Sequence, residues 1–201
     1  SMTQLLRRLL PALLVAGSAT ATAADQARAE DIVSGKCSIC HGADGESSSP
    51  VFPRLAGQHA DYVTRQITDY KTGRRKSSAM QPMVEDLSPA DFVALGRYFQ
   101  TKPVHTHAVD DPDLSQMGRF IYLRGNPYSG VPACATCHGP TGQGTATLPR
   151  LAGQHAAYTE KQLKQFSQRE RTNDNAVMHT VAVKLTELEL KSVASYVSGL
   201  K

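Results

Sequence analysis

Cys37-Ser38-Ile39-Cys40-His41 and Cys134-Ala135-Thr136-Cys137-His138 decide the reading of this 201-residue chain. Both follow the pattern C-x-x-C-H, in which two thiols form thioethers to the vinyl groups of a haem and the adjacent imidazole ligates the iron. A redox dithiol or half of a zinc site also uses C-x-x-C, but neither requires the histidine that follows. The two copies consume all four cysteines of the chain. The residues therefore point to two covalently attached c-type haems, on Cys37 and Cys40 and on Cys134 and Cys137, with His41 and His138 as iron ligands.

Working outward, the repeat exceeds the motif. Pro53-Arg54-Leu55-Ala56-Gly57-Gln58-His59-Ala60 recurs letter for letter as Pro149-Arg150-Leu151-Ala152-Gly153-Gln154-His155-Ala156. The spacing is 97 residues at the first cysteine, 96 at this run and 98 from Leu87 to Leu185. So small a drift means one duplicated unit with short length changes in loops, and the period is that of a small domain rather than of a solenoid repeat.

The duplication also selects the sixth iron ligands. Aligning Leu87 with Leu185 matches Met80 to Met178, whereas Met83 falls on Val181, so Met80 and Met178 are the expected axial ligands. His59 and His155 are repeated as well, which keeps a bis-histidine haem as the rival reading. His179, beside Met178, has Gln81 as its counterpart and is read as a neighbour of the site.

Arg7-Arg8, the apolar run Leu9 to Gly17 and the small-x-small site Ala21-Thr22-Ala23 read as a signal peptide over 1–23, with Ser1 extraneous and the mature chain starting at Ala24 or Asp25. The run is shorter than the roughly 20 residues that span a bilayer. Beyond the leader the charge nearly balances, ten Lys and Arg against ten Asp and Glu over 24–102 and ten against eight over 103–201. No clustered basic face suggests nucleic acid. Arg74-Arg75-Lys76 reads as a solvated loop after a helix. With no tryptophan in the chain, a buried porphyrin would supply much of each domain's apolar surface.

Hydrophobic spacing predicts an all-α fold of two tandem domains, 24–100 and 114–201, joined by a linker over 101–113. Helices are expected over 27–37, 60–72 and from Ser88-Pro89 onward, then over 114–124, 158–169 and from the capping box Thr186-Glu187-Leu188-Glu189. Residues 125–132 read as a loop inserted in the second unit. His105 and His107 in the linker read as exposed rather than as a metal-binding pair.

C-x-x-C-H, then Pro-Arg-Leu, then a methionine before a C-terminal helix, twice after a leader, resembles class I cytochromes c. Leu-Ala-Gly-Gln in each half and His-Ala-Ala-Tyr in the second resemble the di-haem cytochrome c4 family. That resemblance implies two domains packed haem to haem, carrying single electrons in the periplasm between redox partner proteins, often toward a terminal oxidase, with no small-molecule substrate. It implies that the Pro53 and Pro149 carbonyls accept the Nδ1 hydrogens of His41 and His138, that Leu55 and Leu151 pack on the porphyrin, and that Arg54 and Arg150 approach propionates or stand in solvent. The alternatives are the electron-accepting subunit of a periplasmic dehydrogenase and a di-haem peroxidase, against which two repeated methionines argue.

Overall fold

A computed structural model of the protein describes residues 16–201. Of the expected leader, residues 1–15 lie outside the described residues, and Ala21-Thr22-Ala23 falls within the first helix. Among the described residues no helix is long and apolar enough to cross a membrane, and the extended pairing is one isolated bridge, Asn126 to Val131.

The first half consists of α1 (Ala16–Ile32), α2 (Ser38–His41), α3 (Ala60–Thr72), α4 (Gln81–Val84) and α5 (Pro89–Gln100). Between α1 and α2 the chain does not leave the helix, because Val33–Cys37 forms a π-helical turn. The helix expected over 27–37 thus runs on to His41 and stops at Gly42, whose φ of +77° favours glycine. α3 turns Val63 and Ile67 inward and ends at Gly73 in the left-handed region. Ser88 and Asp91 form a reciprocal capping box at the start of α5, with Pro89 at its first position. Asp91 also takes both Arg28 Nε (3.0 Å) and Nη2 (3.3 Å), which ties α1 to α5. Ala29, Ile32, Val33, Phe92, Leu95 and Phe99 are the centre of this core.

The second half repeats the plan with α6 (Pro112–Arg124), α7 (Ala135–His138), α8 (Ala156–Ser167), α9 (Val177–Ala182) and α10 (Glu187–Ser198). Subtracting the eight residues 125–132 brings Ile121 and Tyr122 onto Ile32 and Val33, and all four are buried. The inserted loop is fastened where Arg28 sits in the first half: Asn126 Nδ2 donates to Glu189 Oε1 (2.6 Å), a member of the α10 capping box.

Four expectations change. α4 and α9 were not anticipated; both are single turns or little more, too short to show a period. The helix expected to reach Arg169 ends at Ser167, and Arg169 itself takes φ +62°. Pro112, read as linker, opens α6 under an Asp111 cap. The linker is packed rather than free: a Cβ on Gly57 would lie 2.2 Å from Val104 Cγ2, and His107, expected in solvent, brings Nε2 to 2.7 Å from Glu46 Oε1.

Candidate haem sites

In each half the short helix carrying the motif points its histidine inward. His41 and His138 are buried, and Nδ1–H donates to the carbonyl of Pro53 (2.9 Å) and of Pro149 (3.1 Å). A carbonyl can only accept, so the proton sits on Nδ1 and the lone pair on Nε2, the tautomer a metal-ligating imidazole needs. Burial holds both imidazoles below their ordinary pKa, against the opposing pull of the proline carbonyls, which keeps them neutral. Burial likewise pushes the Cys37 and Cys134 thiols up to about 11, so they rest as thiols. Leu55 packs against the first core, and Leu151 against the second.

Met80 is partly buried and packs on the first core, and Met178 packs on Leu163, Phe166, Ala182 and Leu190. Met83, by contrast, is 42% exposed. The approach to Met178 is braced. Asn175 and Ala176 both take positive φ, and Asp174 accepts from the backbone N–H of Ala176 (3.2 Å) and of His179 (3.0 Å). Between Arg171 and Met178 the repeat spacing lengthens from 96 to 98 residues, so this strained turn is where the extra residues went. His179 Nδ1–H donates to Phe166 O (2.9 Å), which ties α9 to α8 beside Met178.

His59 and His155 have another occupation. His59 Nε2–H donates to Gln143 O (2.7 Å) and His155 Nε2–H to Ser47 O (2.8 Å), each in the opposite half. They belong to a seam with approximate two-fold symmetry. Gln58 clasps Arg150, accepting from its N–H (2.8 Å) and donating to its carbonyl (3.0 Å); Gln154 clasps Arg54 in the same way, at 2.9 Å and 3.0 Å. This isologous pairing explains why Pro-Arg-Leu-Ala-Gly-Gln-His-Ala is identical in both halves: proline serves the histidine of its own half while glutamine and histidine serve the other. Arg75, expected in a solvated loop, is buried in the same seam together with Arg171. The sequence held a signal for this in the repeated Arg75 and Arg171, which the basic run around Arg75 obscured.

Arg54 and Arg150 are neither solvent-exposed nor equivalent. Glu46 Oε1 lies 2.8 Å from Arg54 Nε, whereas Arg150 Nη1 donates to the neutral Gln143. Arg150 Nε is buried without a hydrogen-bond partner, and Arg54 Nε has only the poorly aligned Glu46 carboxylate. The buried Arg150 Nε, a cationic donor without a partner, fits a carboxylate of a haem, as the free Nε2 lone pairs of His41 and His138 and the paired thiols fit its iron and vinyl groups. The residues present therefore suit the cofactor.

Comparisons with known proteins agree. The family described as "Cytochrome c" matches residues 128–201, and "Cytochrome C oxidase, cbb3-type, subunit III" matches 24–99. A cytochrome c4 of Thiocapsa roseopersicina is 41% identical over 180 residues, covering 88% of this chain and 93% of that one. A thiosulfate dehydrogenase electron acceptor of Stutzerimonas stutzeri is 35% identical over 176 residues, 82% of this chain and 78% of that one. The crystal structure of reduced cytochrome c4 from Pseudomonas stutzeri superposes with a TM-score of 0.82 at 37% identity, over 90% of this chain and 98% of that one.

Proposed function

The chain belongs to the cytochrome c4 family, and from that premise we propose that it is a periplasmic carrier of single electrons, exported by the leader 1–23, with domains 24–100 and 114–201 each holding one haem through His41 and Met80 or through His138 and Met178. It is a di-haem electron-transfer cytochrome and not an enzyme. The peroxidase reading is thereby set aside. When bound, the haems supply the one-electron iron couple. The chain's own part is to hold them. Cys37, Cys40, Cys134 and Cys137 anchor, Pro53 and Pro149 fix the imidazole tautomers, and the glutamine clasps hold the two sites in one body so that they keep a constant relation during transfer.

The single observation that carries the proposal is that seam. Reciprocal clasps between Gln58 and Arg150 and between Gln154 and Arg54 serve a protein whose two redox sites must work together. A free shuttle toward a terminal oxidase and the accepting subunit of a dehydrogenase are the two partner arrangements, the second favoured by the relatives named thiosulfate dehydrogenase electron acceptors. Purification from the native source distinguishes them, a stoichiometric catalytic subunit marking the second and its absence the first. As to the cofactor, the purified protein is expected to have the mass of the mature chain plus two haems, to retain both through acid-acetone extraction and to contain no disulfide. A mass gain of one haem would refute the two-site reading.

The two haems are expected to differ in reduction potential, the second being higher. Positive surroundings favour the reduced iron, and the halves differ in that Glu46 faces Arg54 where Gln143 faces Arg150. Replacing Glu46 by Gln should raise the potential of the first haem alone and narrow the gap. A potentiometric titration in which both haems follow one and the same wave would contradict the inequality, and a higher first potential would reverse the direction of internal transfer.

A further inference from the structure

The two halves differ on one solvent face. Met117, Phe120 and Leu188 are 43%, 54% and 54% exposed. The repeat gives them Arg28, Asp31 and Ala90 as mates, all exposed as well. Arg28 reaches Asp91 across the joint of α1 and α5, and Asp91 is the mate of Glu189. The register of Met117 therefore lies over the first turn of α10, beside Leu188. What is charged or small in the first half is apolar in the second, on the same surface, and a contiguous exposed apolar patch is the mark of an interaction site.

The inserted loop 125–132 stands over the same joint and adds a fourth apolar side chain. Tyr128 at its tip is 100% exposed, yet the loop beneath it is braced. Asn126 and Val131 exchange both backbone hydrogen bonds, at 2.8 Å and 3.0 Å. Asn126 Oδ1 accepts from the Tyr128 N–H (3.0 Å) while its Nδ2 holds Glu189, and Lys184 Nζ donates to Gly130 O (3.1 Å). An aromatic ring held out on a braced loop loses little freedom when it is covered, which is the economy of a binding anchor. Tyr128 precedes Cys134 by six residues, so the loop leads directly into the second haem attachment.

Charge around this face defines what it fits. The Arg124 guanidinium lies over the Phe120 ring, 5.6 Å from its centre, Lys184 braces the loop, and Lys191 follows Leu188 by one turn of α10. The carboxylate among them, Glu187, is taken up by Lys164 (2.7 Å) and Lys191 (3.4 Å). In the first half Asp31 stands at the Phe120 position and Asp86 at the Lys184 position, so the corresponding face there carries acids. An apolar centre with a basic rim is complementary to an apolar spot rimmed by carboxylates.

We propose that Met117, Phe120, Tyr128 and Leu188 form the docking face for the protein that exchanges electrons with the second haem, and that this partner presents an apolar spot rimmed by acidic side chains. The proposal rests on the carrier reading given above. A fixed aromatic loop suits a surface of fixed shape rather than a fluid lipid one, and its continuity with Cys134 brings the partner's redox centre toward the second haem and not the first.

Plant plastocyanin, a small acidic protein with a one-electron copper centre, serves as the probe. Mixing the ferrous holo-protein with cupric plastocyanin in a stopped-flow instrument moves one electron, oxidising iron(II) and reducing copper(II). At low salt Tyr128→Ser and Phe120→Asp, the latter writing in the first half's residue, should each lower the second-order rate constant about tenfold. Arg124→Gln should lower it and flatten its decline with ionic strength. Val51→Ser, which removes an apolar side chain 61% exposed on the first half, should leave it unchanged. Tris(phenanthroline)cobalt(III), a small oxidant that needs no docking face, should oxidise every variant nearly as fast as the wild type. Unchanged plastocyanin rates in Tyr128→Ser and Phe120→Asp overturn the proposal, as does a fall confined to Val51→Ser. With those rates unchanged, loss of binding to phosphatidylglycerol vesicles in the same variants assigns the face to lipid, and loss of a dimer in sedimentation assigns it to a second copy. Failure of the carrier reading is separate, because it would leave even the wild type without reversible one-electron oxidation by the cobalt complex.

Discussion

Met80→Ala and Met178→Ala each leave one haem high-spin and open to added ligands such as cyanide or carbon monoxide, with the other haem untouched, whereas Met83→Ala leaves both low-spin. The expected change is all-or-none at one site: half the low-spin absorbance is lost and one equivalent of added ligand binds rapidly per chain. The duplication pairs Met80 with Met178 and gives Met83 no mate. Met80 and Met178 are turned onto the cores, while Met83 is 42% exposed. The competing histidines are already engaged. His59 and His155 donate their Nε2 hydrogens across the seam, and taking iron would mean giving those bonds up, at about 1 kcal/mol each. An opened first haem in Met83→Ala with a closed one in Met80→Ala would mean that the repeat alignment misleads.

The same duplication decided how much could be read in advance. The attachment residues and the helices α3, α5 and α10 were legible because each rests on a local rule, a fixed motif spacing, an apolar stripe or a capping box, whereas the Pro53 and Pro149 carbonyls came only from the family resemblance. The seam was not legible as a seam. Letter-for-letter identity of the Pro-Arg-Leu-Ala-Gly-Gln-His-Ala run announced a constraint, but a repeated glutamine looks the same whether it clasps a backbone in its own domain or in the other. Arg75 failed for a related reason. Its neighbours Arg74 and Lys76 are exposed, and a charge run gives no sign that its middle member turns inward to Gln66, Gln162 and Tyr158. The linker was misjudged because Pro, His and Asp suggest solvent, while the contacts of Val104 with Gly57 and of His107 with Glu46 depend on where the two halves meet.

Gly118→Ala is expected to be the most destabilising small substitution in the chain. α6 crosses α10 so closely that a Cβ at Gly118 would lie 1.8 Å from Ser192 O and 2.9 Å from Tyr196 Cβ. The first of these is backbone and cannot rotate away. α10 is held from its other sides by its Thr186–Glu189 capping box and by the fully or nearly fully buried Val193, Ala194 and Val197, so relief must come from separating the helices by more than 1 Å. That unpacks Ile121 and Tyr122 as well. Alanine gains about 1 kcal/mol in helix propensity over glycine, but overpacking against rigid backbone costs about 3 kcal/mol or more, and destabilisation wins. The first half supplies the control. Once the eight-residue insertion is discounted, the register of Gly118 is held there by Ala29, which is 1% exposed, so that a Cβ is accommodated at that position between the helices of the first half. Ala29→Gly should therefore cost only about 1 kcal/mol, mostly from propensity. Urea unfolding of the holo-protein measures both, and a Gly118→Ala midpoint within the range of Ala29→Gly would mean that α6 and α10 can part without loss.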